Sequence, residues 1–186
     1  MQKKPVEARQ KSSQAEMDNP VCEEMIERTL VLIKPDGVER GLIGDIIKRF
    51  EQRGLKVVGM KMQWVDKKFA EKHYTEDTTR HRGQRVRDSL LEFVVSGPVI
   101  AIVIEGIKAV ENVRKIVGDT EPKSALPGTI RGDFVHISYE YADAKQKAIP
   151  NLIHASSAGD AETEIKLWFT DKELHSYPTV HDKHVL

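Results

Sequence analysis

A chain of 186 residues, 39% hydrophobic and 31% charged, can bury a sizeable core, and no apolar run approaches the ~20 residues that cross a bilayer. Its 29 basic and 29 acidic side chains cancel, which excludes a strong overall field toward nucleic acid or anionic lipid and leaves only local patches. One cysteine, Cys22, excludes an intramolecular disulfide; with no leader of charged, apolar and small residues at the N-terminus, the expected compartment is a reducing cytoplasm.

Residues 1–26 are rich in Lys, Gln, Glu and Ser and read as a mobile tail ahead of a domain over 27–186. The run RTLVLIK at 28–34 predicts a strand, and PDG at 35–37 a turn in which Gly37 takes a positive φ. Ile43, Ile46, Ile47 and Phe50 recur at i, i+3, i+4 and i+7, predicting an amphipathic helix that Gly54 ends in a left-handed cap. KVVGMKMQWV alternates Val58, Met60, Met62 and Trp64 against Lys61 and Gln63, the period of a half-buried strand. Asp66 caps a short helix in DKKFAEKHY; the arginine-rich TEDTTRHRGQRVRD is polar, and SLLEFVVS after it is helical. GPVIAIVIEG predicts a buried strand, and KAVENVRKIVGD a helix with Val110, Val113, Ile116 and Val117 on one face, stopped at Gly118. GDFVHISYEY predicts the last strand and AETEIKLWF a late helix.

Without its short helices this order is strand, helix, strand, strand, helix, strand. That is the ferredoxin-like βαββαβ pattern of the α+β class, with helices covering one face of an antiparallel sheet. Such a frame carries many activities, so function has to come from side chains.

Residues 118–133, GDTEPKSALPGTIRGD, hold three Gly and two Pro without periodicity, a loop length that in a compact domain goes with function or disorder. The loop carries Thr120 and Arg131, Arg114 lies one turn before the preceding helix ends, and Lys34 closes the first strand. Cations on rigid elements suit a phosphate chain, because phosphoryl transfer rests on positioning and charge stabilisation; the same three are also readable as solvated surface charges. His154, in NLIHASS, is either a satisfied core histidine or a group that accepts a phosphoryl itself, with one ring nitrogen free and the other fixed by an acceptor. Glu164 is placed to be that acceptor, directly or through Ser156, and Asn151 adds an amide nearby.

Four ordered blocks decide between these readings. ERTLVLIKPDGVERGLIGDIIKRFEQRGLKVVG, SGPVIAIVIEG, PGTIRGDF, and NLIHASS with EIKLWF resemble the nucleoside diphosphate kinase family over residues 27–177. The resemblance implies transfer of the γ-phosphate of a nucleoside triphosphate, typically ATP, to a nucleoside diphosphate by a ping-pong route through phospho-His154. It implies that Lys34 meets phosphates and sugar, Tyr74 positions the histidine region, and Arg114, Thr120 and Arg131 bind phosphates. Asn151 would hold the sugar, Ser156 and Glu164 would orient His154, and Leu90 would line the base site. Mg²⁺ would arrive mainly on the nucleotide's phosphates with no dedicated protein ligands, and the chain would be a homo-oligomer, a hexamer or a tetramer. Membrane and nucleic acid are not expected partners.

Three departures from the family pattern stand out. Ser157 replaces the usual Asp and the spacing to Glu164 is one residue short; the aromatic that stacks on the base is missing, with Arg85 or Val86 in its place; and residues 135–150 are lengthened, read as a surface connection without a role. His181 and His184, at i and i+3, read as part of a tail packed on a neighbouring subunit rather than as metal ligands; His73, His81, His136 and His175 offer no site argument. Two other classes compete. RHRGQRVR as an RNA-binding surface lacks interleaved exposed aromatics, and a catalytically eroded scaffold sits poorly with retention of every polar candidate.

Overall fold

A computed structural model describes residues 25–182. Residues 1–24 of the expected N-terminal tail and His184 lie outside them, and the tail's expected end at residue 26 is too late, because Ile26 already opens β1. The elements are β1 (Ile26–Ile33), α1 (Pro35–Glu39), α2 (Ile43–Gln52), β2 (Lys56–Gln63), α3 (Lys67–His73), α4 (Glu76–Arg82), α5 (Gln84–Val94), β3 (Val99–Ile107), α6 (Ala109–Val117), α7 (Ile130–Phe134), α8 (Tyr139–Ala144), β4 (Ile153–Ala155) and α9 (Ala161–Trp168). The sheet order is β2-β3-β1-β4 with every pairing antiparallel, which is the ferredoxin-like arrangement the element order implies.

β1 lies inside the sheet and is buried on both sides, which is why its sequence is a continuous apolar run. Leu30 and Leu32 face one core with Ala70 of α3, Leu91 of α5 and Ile165 and Trp168 of α9; Val31 and Ile33 face the other with Ile46 and Phe50 of α2 and Val113 of α6. Both sheet faces are therefore covered, not one. The α2 helix ends as its periodicity predicts: Gly54 has φ +81°, Gly54 N–H donates to Glu51 O and Leu55 N–H to Phe50 O, the paired bonds of a Schellman cap.

Several local expectations are corrected. Pro35-Asp36-Gly37 opens a five-residue helix instead of a turn, with Pro35 at its first positions and Gly37 outside the positive-φ region. What Gly37 supplies is space: a Cβ there would sit 2.7 Å from Ile33 Cγ2 and 3.2 Å from the Leu152 carbonyl oxygen. A bulge between Val57 and Gly59 reverses the phase of β2, so Val58 is buried while Met60, Met62 and Trp64 are 56%, 59% and 67% exposed. The polar 75–88 stretch forms α4 and the start of α5, parted at Gly83 with φ +87°. GDFVHISYEY is no strand: Thr129 Oγ1 accepts from Gly132 N–H to cap α7, Ser138 caps α8, and the sheet's last strand is the three-residue β4. The C-terminal segment up to residue 182 packs on its own chain, where Tyr177 OH donates to Val57 O at 2.6 Å and Lys56 pairs with Asp182 at 3.3 Å. Among the described residues no helix is long and apolar enough to cross a membrane.

Gly37→Ala is expected to lower stability by about 1–3 kcal/mol, the usual cost of overpacking. Urea unfolding followed by circular dichroism measures it; an unchanged midpoint would contradict the close fit of α1 against β1 and residue 152.

Candidate active site

The site is built on β4. Leu32 pairs with His154, so His154 shares the sheet face of Leu32 and meets α3 and α9, while Ile153 and Ala155 enter the opposite core. The approach to β4 is strained. Leu152 is fully buried with φ +66°, and Ile153 N–H donates to Asn151 O at 2.8 Å, closing a γ-turn of the rare positive-φ kind. Leu152 N–H donates to Asp36 Oδ2 at 2.9 Å and Lys34 N–H donates to Leu152 O at 2.8 Å, so the end of β1 and the start of α1 hold that turn from both sides.

The turn presents Asn151 to Lys34. Lys34 Nζ donates to Asn151 Oδ1, and Asn151 Nδ2 donates to Thr120 O at 2.8 Å, tying β1, the 118–129 loop and β4 together. Burial pushes the Lys34 ammonium down to about 8; Asp36 opposes the shift and Arg131 adds to it. Arg131, itself buried, reaches back from α7 and donates to four carbonyls: Nε to Asn151 at 3.2 Å, Nη1 to Gly118 and Asp119 at 3.0 and 3.1 Å, and Nη2 to Ile153 at 2.6 Å. Arg114 Nη1 lies 3.4 Å from Ala155 O. Lys34, Arg114 and Arg131 thus converge on one cleft of about 220 Å³, which Tyr74, Leu90, Thr120, Asn151 and His154 also line.

Glu164 of α9 fixes the histidine. Its Oε2 lies 2.9 Å from His154 Nε2 and accepts the Ser156 hydroxyl, whose oxygen is also 3.3 Å from Leu30 O. Burial alone would raise the Glu164 carboxyl; the hydrogen bond and charge of His154, the nearby His73 and the Ser156 bond outweigh it and hold the group at about 2. An ionised Glu164 makes Nε2 the donor nitrogen, so the neutral tautomer it selects carries the lone pair on Nδ1, and Nδ1 has no hydrogen-bond partner among the described residues.

All ten residues named from the sequence gather here: Ser156 and Glu164 lie behind the histidine, and the other eight line the cleft. Leu90 also borders a second crevice with Arg85 and Val86 of α5, walled on its far side by Tyr139 and Asp143 of α8. The crevice shares Lys34, Leu90, Thr120 and Asn151 with the cleft, so the lengthened 135–150 segment flanks the site and is more than a remote connection.

Three contributors escaped the sequence. His73 packs edge-on against His154, ring centroids 4.7 Å apart, and accepts from Trp168 Nε1 at 3.3 Å. Burial drops its imidazole to about 3, helped by His154 and opposed by Glu164, so it is a neutral wall and its 3.7 Å approach to Glu164 is no ion pair. Asp36 anchors residue 152 through a backbone bond that no motif advertises. Asp160, whose only sequence signal is its distance from His154, is the one carboxylate lining the cleft among the described residues.

Residues 27–174 match the family model described as Nucleoside diphosphate kinase. A nucleoside diphosphate kinase of Pyrococcus abyssi is 53% identical over 163 residues, covering 87% of this chain and 96% of the relative. Among solved structures, a transition-state mimic of the Borrelia burgdorferi nucleoside-diphosphate kinase with bound vanadate and ADP superposes with TM-score 0.85 at 45% identity, covering 87% of this chain and 97% of that one. A Halobacterium salinarum nucleoside diphosphate kinase in complex with CDP gives TM-score 0.73 at 42% identity, covering 86% and 98%. With its βαββαβ sheet and a histidine fixed by Glu164 beside converging cations, this chain belongs to the nucleoside diphosphate kinase family of phosphotransferases.

Proposed function

We propose that His154 carries the phosphoryl group between two nucleotides that occupy the same cleft in turn. The observation that supports this most directly is the 2.9 Å contact of Nε2 with Glu164, which leaves Nδ1 as the nucleophilic nitrogen in a residue that lines a cationic cleft. In the first half-reaction the Nδ1 lone pair attacks the γ-phosphorus of a nucleoside triphosphate, the bond from that phosphorus to the bridging oxygen breaks, and the diphosphate leaves with the electron pair. Positive charge that develops on the imidazole is balanced by the Glu164 carboxylate through Nε2–H. In the second, a terminal oxygen of another diphosphate attacks the phosphorus, the N–P bond breaks, and the lone pair returns to Nδ1. Lys34, Arg114, Arg131 and Thr120 hold the phosphates, Asn151 the sugar and Leu90 the base, while Tyr74 and Ser156 keep the histidine and Glu164 in place.

Mg²⁺ fits as an ion carried by the nucleotide. The one group of three close histidine or carboxylate ligands among the described residues, His73, His154 and Glu164, has two imidazoles, softer donors than Mg²⁺ takes, and Asp160 is a lone carboxylate. Bound to the phosphates, Mg²⁺ supplies neutralisation of their oxygens. A homo-oligomer, hexamer or tetramer, suits the apolar strip that Met60 and Met62 of the edge strand β2 and Trp64 just after it leave exposed, and a reducing cytoplasm suits the lone Cys22.

Incubation with γ-labelled ATP and Mg²⁺ is expected to put acid-labile, base-stable label on the wild type and none on His154→Ala, and the label should pass to added GDP. No label on a protein that binds nucleotide would overturn the covalent route. Glu164→Gln is expected to slow phosphorylation about 10- to 150-fold, the worth of a hydrogen bond to a charged group of about 1.5–3 kcal/mol; a wild-type rate in rapid-quench experiments would remove Glu164 from the mechanism. Because the free protein's Lys34 loses its proton near 8 and phosphate favours the charged form, ADP affinity should fall as pH rises through about 8, with proton uptake on binding. Calorimetry in buffers of different ionisation enthalpy measures this, and Lys34→Gln should abolish the uptake. Light scattering after gel filtration should return a multiple of the 21.1 kDa chain; a monomer would contradict the oligomer.

A further inference from the structure

His73 keeps a buried nitrogen that the fold does not use. Its side chain is 1% exposed, and Nε2 has no hydrogen-bond partner among the described residues. Nδ1 accepts the long 3.3 Å bond from Trp168 Nε1, which marks the ring as neutral, and stands 3.7 Å from Glu164 Oε1. Edge-on contacts with Tyr74, His154 and Trp168 hold the ring in place. A buried polar atom left unpaired costs stability, so an imidazole kept in this position asks for a ligand that the chain does not itself supply.

The neighbours of His73 are the donors of a metal site. One atom each from His73, His154 and Glu164 lie within 4.8 Å of one another, supplied by the end of α3, by β4 and by α9. His154 Nε2 is 2.9 Å from Glu164 Oε2, and His73 Nδ1 is 3.7 Å from Glu164 Oε1. Ligands held at ~2.0–2.2 Å around a tetrahedral Zn²⁺ lie roughly 3.3 Å apart, so these two distances straddle the required spacing and small side-chain rotations close the set. Two imidazoles and one carboxylate suit zinc and its transition-metal neighbours, whereas Mg²⁺ takes oxygen. All three side chains line a cavity of about 540 Å³ walled from α3, α4 and α9, which gives an ion a route in and leaves room for water as a fourth ligand.

We propose that His73, His154 and Glu164 form a binding site for a borderline divalent cation of the Zn²⁺ type, and that such an ion arrests the phosphoryl carrier. The arrest, though not the site, rests on the reading of His154 as that carrier. A metal that takes the Nε2 lone pair displaces the proton held there, and the neutral imidazole then bears its proton on Nδ1. One proton leaves Nε2 and one joins Nδ1, so none is released overall. Nδ1 loses the lone pair that attacks phosphorus, and Glu164 exchanges the imidazole N–H for the metal. Donor softness thereby separates the ion that the nucleotide brings from the ion that stops the enzyme.

The full chain, stripped of metal with EDTA and returned to chelator-free buffer, is titrated with Zn²⁺ while nitrogen NMR follows the histidine rings, His154→Ala and His73→Phe identifying the two signals. At stoichiometric zinc, His154 Nδ1 should change from the unprotonated to the protonated type and Nε2 to the metal-bound type, with the His73 ring shifting in step. Calorimetry should give His73→Phe a zinc affinity about tenfold or more below wild type. In excess Mg²⁺, labelling by γ-labelled ATP should stop at saturating zinc and return when the zinc is chelated. Ring nitrogens that do not move, or wild-type zinc affinity in His73→Phe, would overturn the site; the ring measurement is made on wild type and decides even where the variant does not fold. Rings that move while labelling continues would overturn the arrest. Rings that move on a metal-free protein that takes no label would bring down the carrier reading and leave the site standing, which separates the two failures.

Discussion

Everything at the site hangs on the antiparallel pairing of the three-residue β4 with β1. Its register, Leu32 opposite His154, decides which sheet face the histidine occupies and so which helices it meets. A slip of one residue would move the ring into the opposite core. Three residues of ladder are too few to hold that register alone, and the structure adds an anchor before them: the γ-turn at Leu152, pinned by Asp36 on one side and by the Lys34 backbone on the other. A buried Leu at φ +66° costs on the order of 1–3 kcal/mol, and it persists because β1 and α1 over-determine it. The same turn points Asn151 at Lys34, so the strain is coupled to the cleft's polar network.

The electrostatics follow from that frame. Lys34 and Arg131 are both buried, which desolvates two cations close enough for Arg131 to depress the lysine. Such an arrangement stands only if each group finds acceptors, and it does: the guanidinium fork of Arg131 takes four backbone carbonyls and Lys34 takes the Asn151 amide oxygen. These acceptors are neutral and Asp36 offsets only part of the charge, so two cations against one nearby carboxylate leave a positive potential for a polyphosphate. Behind the histidine the logic is reversed. Glu164 keeps its charge through His154 and Ser156, while His73 is kept neutral by burial, so among the described residues one anion faces one nucleophile.

The places where the sequence departs from the resemblance lie against residues from neighbouring segments. Ser157 Oγ donates to Asp160 Oδ2 at 2.5 Å, and both residues line the cleft. The missing aromatic of the 75–89 region leaves Arg85 and Val86 facing α8, whose Tyr139 and Asp143 come from the lengthened segment.

Local physics was legible from the residues. The continuous apolar β1, the 3.6-residue period and Gly54 cap of α2, and the Asp66 cap of α3 each depend on side chains within a few positions of one another. The identities of the cleft residues were legible too, six within four ordered motifs and Tyr74, Leu90, Arg114 and Thr120 through the resemblance those motifs carry, and the fold brings all ten together. What failed were features decided by partners distant in the chain. The β2 bulge, which turns Met60 and Met62 outward, comes from register against β3. GDFVHISYEY has the composition of a strand, yet the free edge of β1 is taken by residues 153–155 and Thr129 caps a helix in its place. His73 and Asp36 act across 81 and 116 positions of sequence, on His154 and Leu152 respectively. Residue types and their short-range periodicity thus determined the elements and the chemistry available. Only the tertiary structure decided which nitrogen of His154 is held, which face it occupies and which carboxylate stands beside it, because those depend on pairings between segments that sequence order leaves open.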